Sequence, residues 1–91
     1  MKYVMVGMNM EEVNRMLDEI NDDRTVPRNI RNMIVQAKEA LNSKQEMAVR
    51  ISTAVAILDD VSNDSNIPTY TRTLIWNLVS MLEVMNEQAK A

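Results

Sequence analysis

The chain has 91 residues, 46% of them hydrophobic, with ten Lys/Arg, thirteen Asp/Glu and a formal net charge of −3. That length corresponds to one domain, residues 1–91, and the acidic balance argues against a protein dedicated to nucleic acid, which shows a basic excess. The absence of cysteine and histidine excludes disulfides, thiolate and imidazole metal sites, and Ser–His–Asp or Cys–His catalysis.

One Gly and two Pro are too little turn chemistry for an all-β fold. With no Phe, one Trp, two Tyr and nine Met, the core must be built from aliphatic side chains and methionine, which fills irregular gaps. The leading Met1-Lys2-Tyr3-Val4-Met5-Val6-Gly7 has one cation and a brief apolar run. It lacks the roughly 7–15-residue apolar centre of a secretory signal, and no later stretch approaches the ~20 residues of a membrane span, so a cytoplasmic location is expected. Residues 1–8 read as a loose N-terminal extension.

The first helix is expected to begin at Asn9, with Asn9 capping the amide of Glu12 and Met8 stapled onto Val13. Its apolar stripe is Met10, Val13, Met16, Leu17 and Ile20, spaced by three and four residues. Asn21-Asp22-Asp23-Arg24-Thr25 ends it. Pro27 opens the second helix, where a missing amide hydrogen costs nothing, and Ile30, Met33, Ile34, Ala37, Ala40 and Leu41 form its inner side. Ser43 with Glu46 reads as a capping box at the start of a third helix, with Met47, Ile51, Ala54, Val55, Leu58 and Val61 inward. Ser62-Asn63-Asp64-Ser65-Asn66 closes it. Pro68 opens the fourth, whose apolar side is Leu74, Ile75, Leu78, Met81, Leu82 and Met85, widened by Trp76 and Val79.

The two halves align at an offset of 41 residues, Met16–Asn42 over Ile57–Glu83, without a gap. Leu17/Leu58, Asp18/Asp59, Asp23/Asp64, Pro27/Pro68, Arg31/Arg72, Ile34/Ile75 and Leu41/Leu82 are identical. Repeat one covers about 9–42 and repeat two about 43–88. A period near forty, built as helix–turn–helix, falls in the HEAT and armadillo range, but two units are fewer than an open solenoid needs. The expected fold is therefore all-α: a compact four-helix bundle built from two repeated helix–turn–helix hairpins, whose short links make sequential helices antiparallel neighbours.

The strings Asp23-Arg24-Thr25-Val26-Pro27-Arg28-Asn29-Ile30-Arg31 and Arg72-Thr73-Leu74-Ile75-Trp76 carry a family resemblance, as do Ala48-Val49-Arg50 and Ile57-Leu58-Asp59. With both proline-containing turns in place, the chain from Asn9 to Met85 resembles an uncharacterised (UPF-type) family of short archaeal helical proteins. The resemblance implies a four-helix bundle in an archaeal cytoplasm and no assigned activity.

Four groups of residues bear on function. Arg31 and Arg72, with Asp18, Asp23, Asp59 and Asp64, read as structural ion pairs in which each Arg bridges back to the preceding turn. The alternative is an anion site. Arg24, Arg28, Arg31 and Lys38 form a basic cluster on the first hairpin, interleaved with Asp22, Asp23 and Glu39. Such a cluster is ordinarily a solvated face, and its functional reading is a contact with phosphates or an acidic protein. Asp18, Asp22, Asp59 and Asp60 would hold a cation only if their oxygens converged, and helix-end aspartates usually face water. Trp76 and Met85, on the wide side of the last helix, belong either to the core or to an interface. The expectation is a non-enzymatic helical interaction module, a candidate for self-association, with no cofactor or metal. The alternative is a nucleic-acid accessory protein using the Arg24–Arg31 hairpin.

Overall fold

The computed structural model describes residues 10–90, with side chains described through Gln88. Its four helices are α1 (Met10–Asn21), α2 (Arg28–Leu41), α3 (Met47–Ser62) and α4 (Thr69–Lys90). The cap at Asn9, the staple at Met8 and the extension 1–8 lie outside the described residues.

Each helix buries the stripe that its apolar spacing dictates. α1 buries Val13, Met16, Leu17 and Ile20, and places Glu11 and Glu12 in its first turn, where negative charge suits the helix dipole. α2 buries Ile30, Ile34, Ala37 and Leu41, and α3 buries Ile51, Ala54, Leu58 and Val61. α4 contributes Thr71, Ile75, Leu78 and Leu82. Val26 and Ile67, each directly before a helix-opening proline, are also buried. Proline holds the residue before it extended, which points both side chains back into the core.

One helix start differs from the sequence expectation. α3 begins at Met47 with Glu46 as its flanking residue and no side-chain cap bond, so Ser43 and Glu46 form no capping box. The Ser43 hydroxyl instead donates to the Ala40 carbonyl at 2.9 Å. The last turn of α2 leaves carbonyls without helical partners, and Ser43 is spent there together with the Asn42 side chain, which donates to Lys38 O at 2.8 Å.

The helices form a closed ring in which α2 packs on α3, α3 on α4, and α4 back on α1. Among the described residues the diagonal pairs, α1 with α3 and α2 with α4, do not approach each other. A HEAT-like stack would bring those pairs together, so the two hairpins close as a bundle. The radius of gyration is 12.8 Å, near the ~12 Å expected of a compact chain this long. No helix among the described residues is long and apolar enough to cross a membrane.

Candidate interaction surface

The turns are built by side chain to main chain bonding. After α1, the Asp23 carboxylate accepts the Thr25 amide at 2.8 Å and its hydroxyl at 2.6 Å. After α3, Asp64 accepts the Asn66 amide at 2.7 Å. These are Asx turns, in which a short carboxylate stands in for a backbone carbonyl two residues away. The bonds from Thr25 also hold the Asp23 carboxyl below its ordinary pKa, since they favour the charged form.

Arg72 then reaches back across the turn. Its Nε donates to Ser62 O at 3.1 Å and its Nη2 to Asp64 O at 2.7 Å. The guanidinium thus satisfies carbonyls at the end of α3, where positive charge also suits the helix dipole. Its target is the main chain of Asp64, and the Asp64 carboxylate is occupied by Asn66. Arg50 does the same for the preceding junction, with Nη1 donating to Leu41 O at 3.1 Å. Arg31, Arg50 and Arg72 share one register: their amides close the first helical bond onto Pro27, Glu46 and Pro68, each at 3.0 Å. Arg31 is half-buried like the other two; its Nε and that of Arg50 find no hydrogen-bond partner among the described residues, but Arg50 bonds through its Nη1. Sequence reasoning had passed over Arg50. The signal was its spacing of four from Glu46, concealed by placing the helix start at Ser43.

The remaining acidic candidates stand apart. Asp18 pairs with Lys38 at 2.6 Å, tying α1 to α2. Its counterpart Asp59 is exposed, and the position matching Lys38 is Val79. Among the described residues no three acidic side chains converge as a metal ion would require. α1 is further tied by the Asn14–Asn42 amide pair at 3.0 Å and by the Tyr70 hydroxyl, which donates to Glu19 at 2.9 Å. That bond, next to a negative charge, raises the Tyr70 pKa. Within α1, Arg15 bridges Glu12 and Glu19.

The basic cluster does not act as a unit. Lys38 is engaged by Asp18 and Arg31 is half-buried, which leaves Arg24 exposed in the turn before α2 and Arg28 exposed at its first residue.

Trp76 lies outside the core with 57% of its surface exposed, whereas Met85 is half-buried against it. The reason is positional. Arg72 ties one flank of α4 to α3, and Tyr70 ties the opposite flank to α1. Trp76 falls between those flanks on the outward side, where no further helix among the described residues covers it. Thr69, Thr73, Ser80 and Glu83 surround it on the same face and are all exposed. Val79, one turn on towards α3, is half-buried beside it. The result is one large apolar side chain with a polar surround on a rigid helix, the arrangement of an anchor and rim.

The sequence pattern of the Uncharacterised protein family (UPF0147) matches residues 4–85. The UPF0147 protein MJ1419 of Methanocaldococcus jannaschii is 58% identical over 69 residues, covering 75% of this chain and 74% of that one. A UPF0147 protein of Archaeoglobus fulgidus is 43% identical over 79 residues, 87% of this chain and 91% of that one. The crystal structure of a protein of unknown function, MMP1188, superposes with a TM-score of 0.77 at 52% identity, covering 81% of this chain and 85% of that one. With its helical fold and this match over most of its length, the chain belongs to the archaeal UPF0147 family.

Proposed function

We propose that this protein is a non-enzymatic helical interaction module whose contact face is the outward side of α4, centred on Trp76. The observation that carries this reading is the exposure of the chain's one tryptophan on a helix whose opposite side is fully committed to the core. Exposing an indole forgoes roughly 1.5–3 kcal/mol of burial, which a partner covering it would recover. Tryptophan is also enriched among the few residues that dominate binding energy. The polar residues around Trp76 keep the free protein in solution and form the rim of a contact.

Self-association is the simplest form of such a contact. Light scattering over a concentration series tests it, with Trp76→Ala as the control. A mass that rises with concentration in the native chain and not in the variant supports a contact between copies. A monomer mass throughout in both removes self-association. A photo-crosslinking residue at Thr73, exposed beside Trp76 on the same face, then tests for another protein partner in the host, against the same group at Asn29. Equal labelling from both positions overturns the proposal.

The exposure of Arg24 and Arg28 favours one second reading, a weak contact with phosphate groups of nucleic acid. Two free arginines are a small electrostatic footprint, since each phosphate neutralised contributes about one unit of salt slope. Nucleic-acid binding that weakens steeply with salt, and disappears in Arg24→Ala/Arg28→Ala, would favour it over the Trp76 face.

A further inference from the structure

The two hairpins follow one frame at an offset of 41 residues, so an outward position of one has a counterpart in the other. On the first hairpin such positions carry exposed charge: Glu11 and Arg15 on α1, Arg28 and Glu39 on α2. At the same offset the second hairpin has Ser52 and Ala56 on α3, Thr69 and Ser80 on α4, and all four are exposed. Val35, 38% exposed on α2, has the larger Trp76 as its counterpart, 57% exposed on α4. The helical frame itself does not demand uncharged residues here, since the first hairpin carries charges at the same positions.

The outer side of α3 shows this most fully. Between Met47 and Leu58 its one charged residue is Arg50, and that side chain is turned to the Leu41 carbonyl at the junction with α2. Val49, 45% exposed, makes up the outer side with Ser52, Thr53 and Ala56, and no helix among the described residues lies over them. A helix face open to water ordinarily carries charge. Arg72 reaches from α4 to the end of α3, so the two helices run antiparallel from their shared turn. Trp76 then comes level with Val55–Asp59, and Glu83 with Ala48–Ile51. Trp76 also stands one turn from Arg72 and from Val79, on the α3 side of α4. The uncharged outer sides of α3 and α4 thus form one surface.

The border of that surface is acidic: Asp59 and Asp60 at one end, Glu83 at the other, all exposed. Lys44 and Glu46, ahead of α3, are opposite in sign and offset each other. The two acidic ends lie about 12–16 Å apart, or about two to three helical turns. We propose that this face seats a helix of a basic partner protein, its apolar side over Trp76, Ala56 and Val49 and its Lys or Arg at the acidic ends. The inference names the partner of the Trp76 surface and rests on that reading. Charge selects the occupant. A second copy set face to face would put acid against acid, and the same border repels nucleic acid and anionic membranes. A helix suits the shape, because the short side chains of Ser52 and Ala56 let its ridge settle close against α3.

The chain's one tryptophan is the reporter for a direct test. A synthetic amphipathic helix of about 16 residues, the length of α3, is built from Ala and Leu with Lys along both edges. It is titrated into the full chain beside the same peptide with Glu for Lys. The expected result is a saturable shift of Trp76 emission by the Lys peptide, weakened by salt, and none by the Glu peptide. Equal binding of both peptides, or of neither, overturns the proposal. Ser52→Glu with Ala56→Arg gives α3 the residues of α1, and should abolish the shift at an unchanged melting temperature. Asp59→Asn with Glu83→Gln should weaken binding several-fold and remove most of its salt dependence.

Trp76→Ala, followed by calorimetry, separates this inference from the reading beneath it. Binding lost in Trp76→Ala but kept in Ser52→Glu/Ala56→Arg confines the contact to α4: the inference fails and the Trp76 reading stands. Undiminished binding by Trp76→Ala overturns both. A mass that rises with concentration until Ser52→Glu/Ala56→Arg is introduced makes a second copy the occupant, and overturns the proposal.

Discussion

Arg72 holds the main-chain oxygen of Asp64 at 2.7 Å and so locks the turn between α3 and α4 to the helix that follows it. A charged side chain is spent on a neutral carbonyl that would otherwise lack a partner in a half-buried corner. Hydrogen bonds to charged groups are worth about 1.5–3 kcal/mol, so Arg72→Ala should destabilise the fold by that order, read by urea denaturation. Arg72→Lys should recover little, because a single ammonium cannot reproduce the fork that reaches two carbonyls. Arg31→Ala should cost less, since among the described residues no such carbonyl bonds anchor Arg31. Equal losses at both positions would contradict this.

Trp76→Ala should leave stability within about 0.5 kcal/mol of the native chain, as surface substitutions do. Leu58→Ala, in the fully buried core, should cost about 2–5 kcal/mol. Thermal or denaturant melts separate the two cases. A large loss at Trp76 would show that the indole supports the fold instead of waiting for a partner.

The turn at Asp23 should weaken in acid. Its carboxyl has a lowered pKa in the folded protein through the bonds from Thr25, so its contribution is complete above the ordinary aspartate range. The contribution fades as pH falls below about 4 and through the folded value, where protonation removes the acceptor. Asp23→Asn should therefore flatten the acid limb of the stability profile, measured as melting temperature against pH.

Lys38→Ala should lower the melting temperature slightly and in a salt-dependent way. The Asp18–Lys38 pair is about half exposed, and pairs open to solvent contribute about 0–1 kcal/mol. Repeating the melt at high salt should bring native and variant together.

Thr71 is buried where the alignment of the two halves places Ile30. If the hairpins are versions of one unit, Thr71→Ile should fold normally and cost no more than the about 1–3 kcal/mol of an added methylene in a packed core. A variant that fails to fold would count against the repeat as a structural principle.

Much of the architecture was legible because periodicity alone decides which side of a helix is buried. Val13, Leu17, Ile34, Leu41, Leu58, Ile75 and Leu82 recur at three and four residues, and every one is buried. Both proline-led helices were legible for the same local reason. The start of α3 was not, because Ser43 had two possible uses. Whether its hydroxyl caps the next helix or closes the previous one depends on where the chain turns. The arginine register was hidden for a related reason: its targets are carbonyls, which carry no mark in a sequence.

Sequence alone thus determined the all-helical class, the helical stripes of the core and the absence of thiol and imidazole side chains, because these follow from residue type and local spacing. The burial of Val26, Ile67 and Thr71 did not follow from them. Tertiary structure decided which exposed groups remain available. It committed Lys38 to Asp18, drew Arg31 half inside, and left Trp76 uncovered. Such outcomes depend on how many neighbours each helix acquires, and a closed ring of four gives α4 two neighbours and one open side.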